Sequence, residues 1–258
     1  MPLTPARYLS LLTDQTALLA VQLTPDRLDR QVPTCPAWSL AALARHLGLV
    51  QRWVLGVIDR GSTEPPPEER SIQAPPESGA PTLAAWLQDG AGQLAAAIRE
   101  AGAEAPIWTW SGDLRVAFWL RRMALEAAVH AVDGQLVSGA ARDLPSDLAA
   151  DGVDEWLWIL SLPTAEERRP DLRALRGDGQ TLHLHATDEG IGEAGEWIVR
   201  RTPDGIEWEH GHAKGDVAVR GGVSDLYLLL MRRLAPDARI QVLGERALLD
   251  HWLQHTPF

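Results

Sequence analysis

The stretch from Leu114 to Gly139, LRVAFWLRRMALEAAVHAVDGQLVSG, constrains this chain more than any other. Ala, Leu, Met, Arg and Gln dominate it, all good helix formers. Trp119, Met123, Ala127, His130 and Gly134 recur at spacings of three and four, which predicts one long helix with a defined inner face. Glu126 and His130 lie on or beside that face, four residues apart. At about 100° per residue, such a pair points the same way. A carboxylate and an imidazole aimed together at a bundle interior are costly to bury unless something binds them, and a divalent metal would do so. The plainer alternative is a surface Glu-His pair.

A second helix is predicted from Ser39 to Arg60, with an apolar stripe at Leu43, Leu47, Val50, Val54 and Val57. His46 sits among these residues. Together with Glu126 and His130 it would make a two-His, one-carboxylate set. Three protein ligands leave positions open for water or substrate, the mark of a catalytic metal site. A core histidine bonded to a backbone carbonyl is the competing reading, and spacing alone leaves both open.

The charge balance removes several function classes. Lys and Arg total 24 against 35 Asp and Glu, a net charge of -11 over 258 residues. Such a chain lacks the cationic excess that nucleic acid or an anionic membrane surface demands. No apolar run approaches the ~20 residues of a membrane span. The beginning, MPLTPARYLSLL, does not read as a signal peptide. Cys35 is the only cysteine, so no intrachain disulfide forms, and a cytoplasmic location is expected. The 11 Trp against two Phe and two Tyr predict a Trp-rich core rather than a Trp-lined pocket.

In chain order, Pro5 to about Leu23 is the first helix, stopped by Pro25. Val32-Pro33-Thr34-Cys35-Pro36 is an extended entry, with Ser39 as N-cap of the second helix. Cys35, close to a helix start, is expected to be structural rather than catalytic. Gly61 to Pro81, rich in Pro, Glu and Ser, reads as a long connection. Thr82 to Glu100 is the third helix, and the Leu114–Gly139 helix the fourth. Four helices with one long crossover predict a four-helix bundle. Asp143 to Leu160 bridges, and Pro163 closes it.

Composition then shifts. Thr181 to Asp188, TLHLHATD, alternates with period two, and Glu196–Arg201 with Gly205–His210 flank the turn signal Thr202-Pro203-Asp204. Gly215–Arg220 is a further strand, Ser224 caps a helix, Ile240–Leu243 is a last strand, and Glu245–Gln254 a last helix. Strands first and helices after argue a small α+β domain. The expected division is 1–162 for the bundle and 163–258 for the α+β domain. His183 and His185 share one face of the first of these strands. They could bind metal, but without a third ligand at obvious spacing a polar sheet face is the simpler reading. His210 and His212 read as turn residues.

The stretches VPTCPAWSLAALARHLGLVQRWV, RRMALEAAVHAVDGQL and GDVAVRGGVSDLYLLLMRRL together resemble the mycothiol-dependent maleylpyruvate isomerase family over nearly the whole chain. The resemblance implies an amino-terminal, DinB-like metal-binding bundle and a smaller carboxy-terminal domain. It places the family's three metal ligands on His46, Glu126 and His130. It implies zinc as the usual ion and mycothiol, a low-molecular-weight actinobacterial thiol, as cosubstrate alongside a small-molecule substrate. It also implies an enzyme that is either an isomerase or a thiol S-transferase. A catalytic arginine of the carboxy-terminal domain matches Arg233 best, with Arg232 and Arg220 as neighbouring candidates. Asp133, one turn beyond His130, is either a support for that ligand or a surface residue. The rival readings are a metal-dependent hydrolase without thiol and a non-catalytic, metal-stabilised binding protein.

Overall fold

The computed structural model describes residues 2–67, 75, 79–140, 143–236 and 239–257. Its helices start and stop where local chemistry directs. Thr4 accepts from the Arg7 amide, and Pro5 opens α1 (Pro5–Ala20). The Ser39 hydroxyl accepts from the Ala42 amide at 3.2 Å and caps α2 (Leu40–Arg60). Gly61, at φ 60°, ends it in the left-handed conformation that costs a glycine nothing. α3 (Ala80–Ala101) carries Pro81 in its first turn and stops at Gly102. α4 (Val116–Ser138) stops at Gly139, again left-handed. Of the connection expected over Gly61–Pro81, residues 68–74 and 76–78 lie outside the described residues, and Ala80 and Pro81 already belong to α3.

α1 packs on α3 and α4, and α2 on the same two helices, which makes the expected four-helix bundle. α4 departs from the one-faced reading. It is buried nearly all round from Val116 to Gly134, because α1, α2, α3 and a small hairpin surround it. That hairpin, β1 (Gln31–Val32) and β2 (Cys35–Ser39), stands where the two prolines predicted only an extended entry. Gln31 pairs with Ser39 and Val32 with Cys35, so Pro33 and Thr34 form the bend. Trp119, Trp156, Trp197 and Trp252 are buried in the core, and the other tryptophans are partly exposed. Trp53, Trp108 and Trp119 lie edge to face or tilted at centroid separations of 5.3–6.0 Å, and the Trp119 indole N–H donates to the Trp108 carbonyl at 2.8 Å.

The second compact unit holds α5 (Ser146–Ser161), α6 (Ala165–Arg168), a 3-10 turn (Pro170–Leu175), β3 (Thr181–Ala186), β4 (Glu196–Thr202), β5 (Gly205–His210), β6 (Val217–Gly221), α7 (Val223–Leu230), β7 (Gln241–Gly244) and α8 (Arg246–His255). The strands lie in the order β5-β4-β3-β6-β7, with only β3 and β6 parallel. Leu182, Leu184, Trp197, Val199, Val217 and Val219 are buried on one face. His183, His185 and Glu196 alternate onto the other.

The units divide at Arg142/Asp143, ahead of the expected boundary after Leu162. α5 is the reason, since it packs on α7 and β5. Gly152 lies under the Tyr227 ring, where an added Cβ would come within 2.5 Å of it. Asp154 accepts the Trp197 indole N–H at 2.7 Å. A helix that buries a Gly against one partner and a carboxylate against another belongs to the unit that supplies both. Among the described residues no helix is long and apolar enough to cross a membrane.

Candidate metal centre

His46 comes from the second turn of α2, and Glu126 and His130 from successive turns of α4. Glu126 Oε1 lies 3.7 Å from His46 Nε2 and 3.4 Å from His130 Nε2. One nitrogen or oxygen from each residue falls within 4.8 Å of the others. Two donors bonded to one ion at about 2.0–2.1 Å with a tetrahedral angle stand about 3.4 Å apart. Two imidazoles and one carboxylate at these separations could hold a divalent ion.

Supporting contacts surround these three side chains. Arg122, buried one turn before Glu126, donates from Nη2 to Glu126 Oε2 at 2.7 Å. That leaves Oε1 turned to the two histidines. Asp133, fully buried, stands 3.0 Å from His130 Nδ1 through Oδ2. A carboxylate only accepts, so Nδ1 carries the hydrogen and Nε2 offers its lone pair when the ring is neutral. The Thr34 hydroxyl, in the β1–β2 bend, donates to Asp133 Oδ1. Trp38, on β2, lies tilted against the His46 ring at 4.6 Å. The hairpin missed in the sequence therefore supplies two of the groups around the ligands. Asp133 takes the supporting position rather than the surface one.

The charges follow from these contacts. Burial raises the Glu126 pKa. The Arg122 guanidinium, with the His130 and His46 rings beside Oε1, outweighs it and holds the carboxyl well below its usual range. Burial likewise disfavours charge on His130, but Asp133 and Glu126 lift its pKa to about 8. An ion entering here would displace a proton from that ring. Arg122 escaped sequence reasoning, although its i,i+4 spacing to Glu126 was there to be read.

Cys35 is half-buried in β2, paired with Val32. α7 ends at Leu230, and Arg233 lies three residues beyond it. It is buried, and its Nη1 donates to the Met231 carbonyl at 2.8 Å. Arg232 is exposed with φ 60°, and Arg220 sits on β6 beside Gln241. His183, His185 and His212 gather in the second unit around Glu196.

A two-histidine, one-carboxylate cluster between two helices of a four-helix bundle, with a mixed-sheet unit following in the same chain, defines a class of helical-bundle proteins with a candidate metal centre and an appended α+β domain. Residues 9–135 match the mycothiol maleylpyruvate isomerase N-terminal domain, and residues 147–251 match the C-terminal domain of the same family. The chain belongs to this enzyme family. The second match begins with α5, in agreement with the division of the units. A mycothiol-dependent maleylpyruvate isomerase structure shares its fold at 15% identity and a TM-score of 0.59, over 94% of this chain and 95% of that one. A histidine-to-alanine mutant of the mycothiol-dependent maleylpyruvate isomerase aligns equally well, at 16% identity, a TM-score of 0.59 and the same coverage. No curated protein matches the sequence.

Proposed function

We propose that this chain is a mycothiol-dependent metalloenzyme, an isomerase or S-transferase acting on an electrophilic or cis-unsaturated small molecule. His46, Glu126 and His130 are its metal ligands, and zinc is the ion. The observation that carries the proposal is the convergence of Glu126 Oε1 with His46 Nε2 and His130 Nε2, in a chain matched by both domains of the family.

The ion, when bound, supplies a positive charge that stabilises a thiolate near neutral pH. The chain's own residues prepare for it. Asp133 fixes the His130 tautomer so that Nε2 is the ligand nitrogen. Arg122 holds Glu126 ionised and directs Oε1 to the site. His46, one-third exposed at its side chain, leaves an approach from solvent. Addition of the thiol sulfur to one carbon of a conjugated cis double bond leaves a single bond free to rotate. Expulsion of the same sulfur restores the double bond as trans, and no atom is gained or lost. If the sulfur instead stays on an electrophilic carbon and another group leaves, the outcome is thiol transfer. Arg233 is the proposed anchor for a substrate carboxylate.

The test is incubation of metal-loaded protein with mycothiol and a panel of cis-enoates and electrophiles, followed by mass spectrometry. Thiol-dependent turnover is expected, lost in His46→Ala/His130→Ala and reduced in Arg233→Ala with metal content unchanged. Turnover that proceeds equally without thiol would make the chain a metal-dependent hydrolase. Metal binding without any turnover would make it a binding protein.

A further inference from the structure

The geometry points to a second metal site, built entirely in the sheet unit from His183, His185, Glu196 and His212, that takes a divalent ion of the zinc class.

The site follows from register. His183 and His185 are two apart on β3 and share a face. β4 runs antiparallel to β3 with Glu196 directly opposite His185 and Ile198 opposite His183. The carboxylate therefore arrives on the histidine face at the first residue of its strand. The chain then turns back through β5 and enters the segment before β6, where His212 lies. Gly215 allows that segment to lie against β3. A Cβ there would stand 3.0 Å from the His183 backbone nitrogen and 3.2 Å from its Cβ, so the close passage needs a glycine.

The result is three imidazoles on one carboxylate. His183 Nε2 is 2.6 Å from Glu196 Oε2, and His185 Nδ1 and His212 Nδ1 are 2.6 Å and 3.1 Å from Oε1. All four ligand atoms lie within 4.8 Å of one another. The rings meet edge to face with centroids 5.8, 5.0 and 5.8 Å apart. Three imidazoles bonded at about 2.0–2.1 Å to one tetrahedral ion place their ring centres about 5 Å apart. Opening the short nitrogen–oxygen contacts by under about 1 Å would admit the ion. The competing state is a cluster in which each imidazole donates to the carboxylate. That arrangement satisfies Glu196, but one carboxylate does not need three rings arranged around one point.

The donor chemistry sets the class. Three imidazoles and a carboxylate suit zinc, nickel or copper and offer calcium or magnesium, which take six or more oxygen ligands, only one carboxylate. Four protein ligands close a tetrahedral site, unlike the three in the bundle. The bound ion would tie the segment after β5 to the β3–β4 ladder, a structural rather than catalytic task. His210 is not a member. It faces the Glu196 carbonyl and the Asp154 carboxylate, each at 3.1 Å.

Zinc titration of the full chain, stripped by chelator, tests the site. Wild type is expected to take two equivalents and His46→Ala/His130→Ala one. Adding His185→Ala/His212→Ala to that variant should leave none. His212 has a side chain 72% exposed, so its loss does not disturb packing. Glu196→Gln preserves shape, and with His212→Ala it should bring an otherwise wild-type chain from two equivalents to one. In cobalt-loaded His46→Ala/His130→Ala, the intense visible bands of a four-coordinate ion are expected. One equivalent in wild type that disappears with His46→Ala/His130→Ala would overturn the second site and leave the bundle site standing. One equivalent that survives that change but disappears with Glu196→Gln/His212→Ala would support the second site and remove the first.

Discussion

Asp133 needs to touch no substrate, yet it determines which nitrogen of His130 is available. Its two oxygens serve two donors, Thr34 and His130. Asn at this position offers one acceptor and forces its amide hydrogens on the other partner. Asp133→Asn is therefore expected to weaken metal binding about 10–100-fold with helical content unchanged, as read by chelator competition and circular dichroism. Unaltered affinity would remove Asp133 from the site. Cys35→Ser is expected to keep most turnover, because the proposed nucleophile is the thiol of the cosubstrate. Loss of activity with metal retained would transfer the nucleophile to the protein.

His130 also sets a pH dependence. Its pKa is raised by the fold from 6.5 to about 8. Folding therefore favours the protonated ring. That contribution to the stability of the ion-free protein is complete below about pH 6.5 and is lost as pH rises through about 8. Metal competes with the same proton. Apparent affinity should rise about tenfold from pH 6 to pH 7 and level off above about pH 8. An affinity flat over that range would contradict the assignment.

At the scale of elements, the bundle depends on close approach as much as on apolar stripes. Gly48 of α2 faces the Trp86 ring of α3, where an added Cβ would stand 2.2 Å from the nearest ring atom. The ring has little room to yield. The Arg52 guanidinium lies 4.0 Å over it, and Arg52 Nη2 donates to the Trp86 carbonyl at 2.7 Å. Gly48→Ala should destabilise the protein by about 1–3 kcal/mol, as a lower urea midpoint with unchanged slope. α4 shows the limit of periodicity. Its apolar spacing located the helix and its inner residues. The apolar residues on the remaining faces became informative only once its neighbours were placed around it.

At the scale of the molecule, α5 decides where the second unit begins. A fragment covering 143–258 keeps the Gly152–Tyr227 contact and the Asp154–Trp197 hydrogen bond. It is expected to unfold cooperatively with a near-ultraviolet signal from Trp197. A fragment covering 163–258 uncovers Tyr227 and should lack both the signal and the transition. Equal behaviour of the two would return α5 to a linking role.

The sequence by itself determined the four helices of the bundle, the order of strands and helices from β3 onward, and that Glu126 and His130 share one side of their helix. These follow from periodicities of 3.6 and 2 and from signals such as the Ser39 cap and the Pro25 stop, all local in the chain. Tertiary structure alone decided the rest. Thr34 reaches Asp133 only because a hairpin folds back onto α4. α5 joins the sheet unit only because Tyr227 and Asp154 find partners across it. His183 and His185 gain Glu196 and His212 only through the register of β3 against β4 and the passage of the chain at Gly215. Contacts between residues far apart in sequence carry no fixed spacing, so no periodicity could announce them.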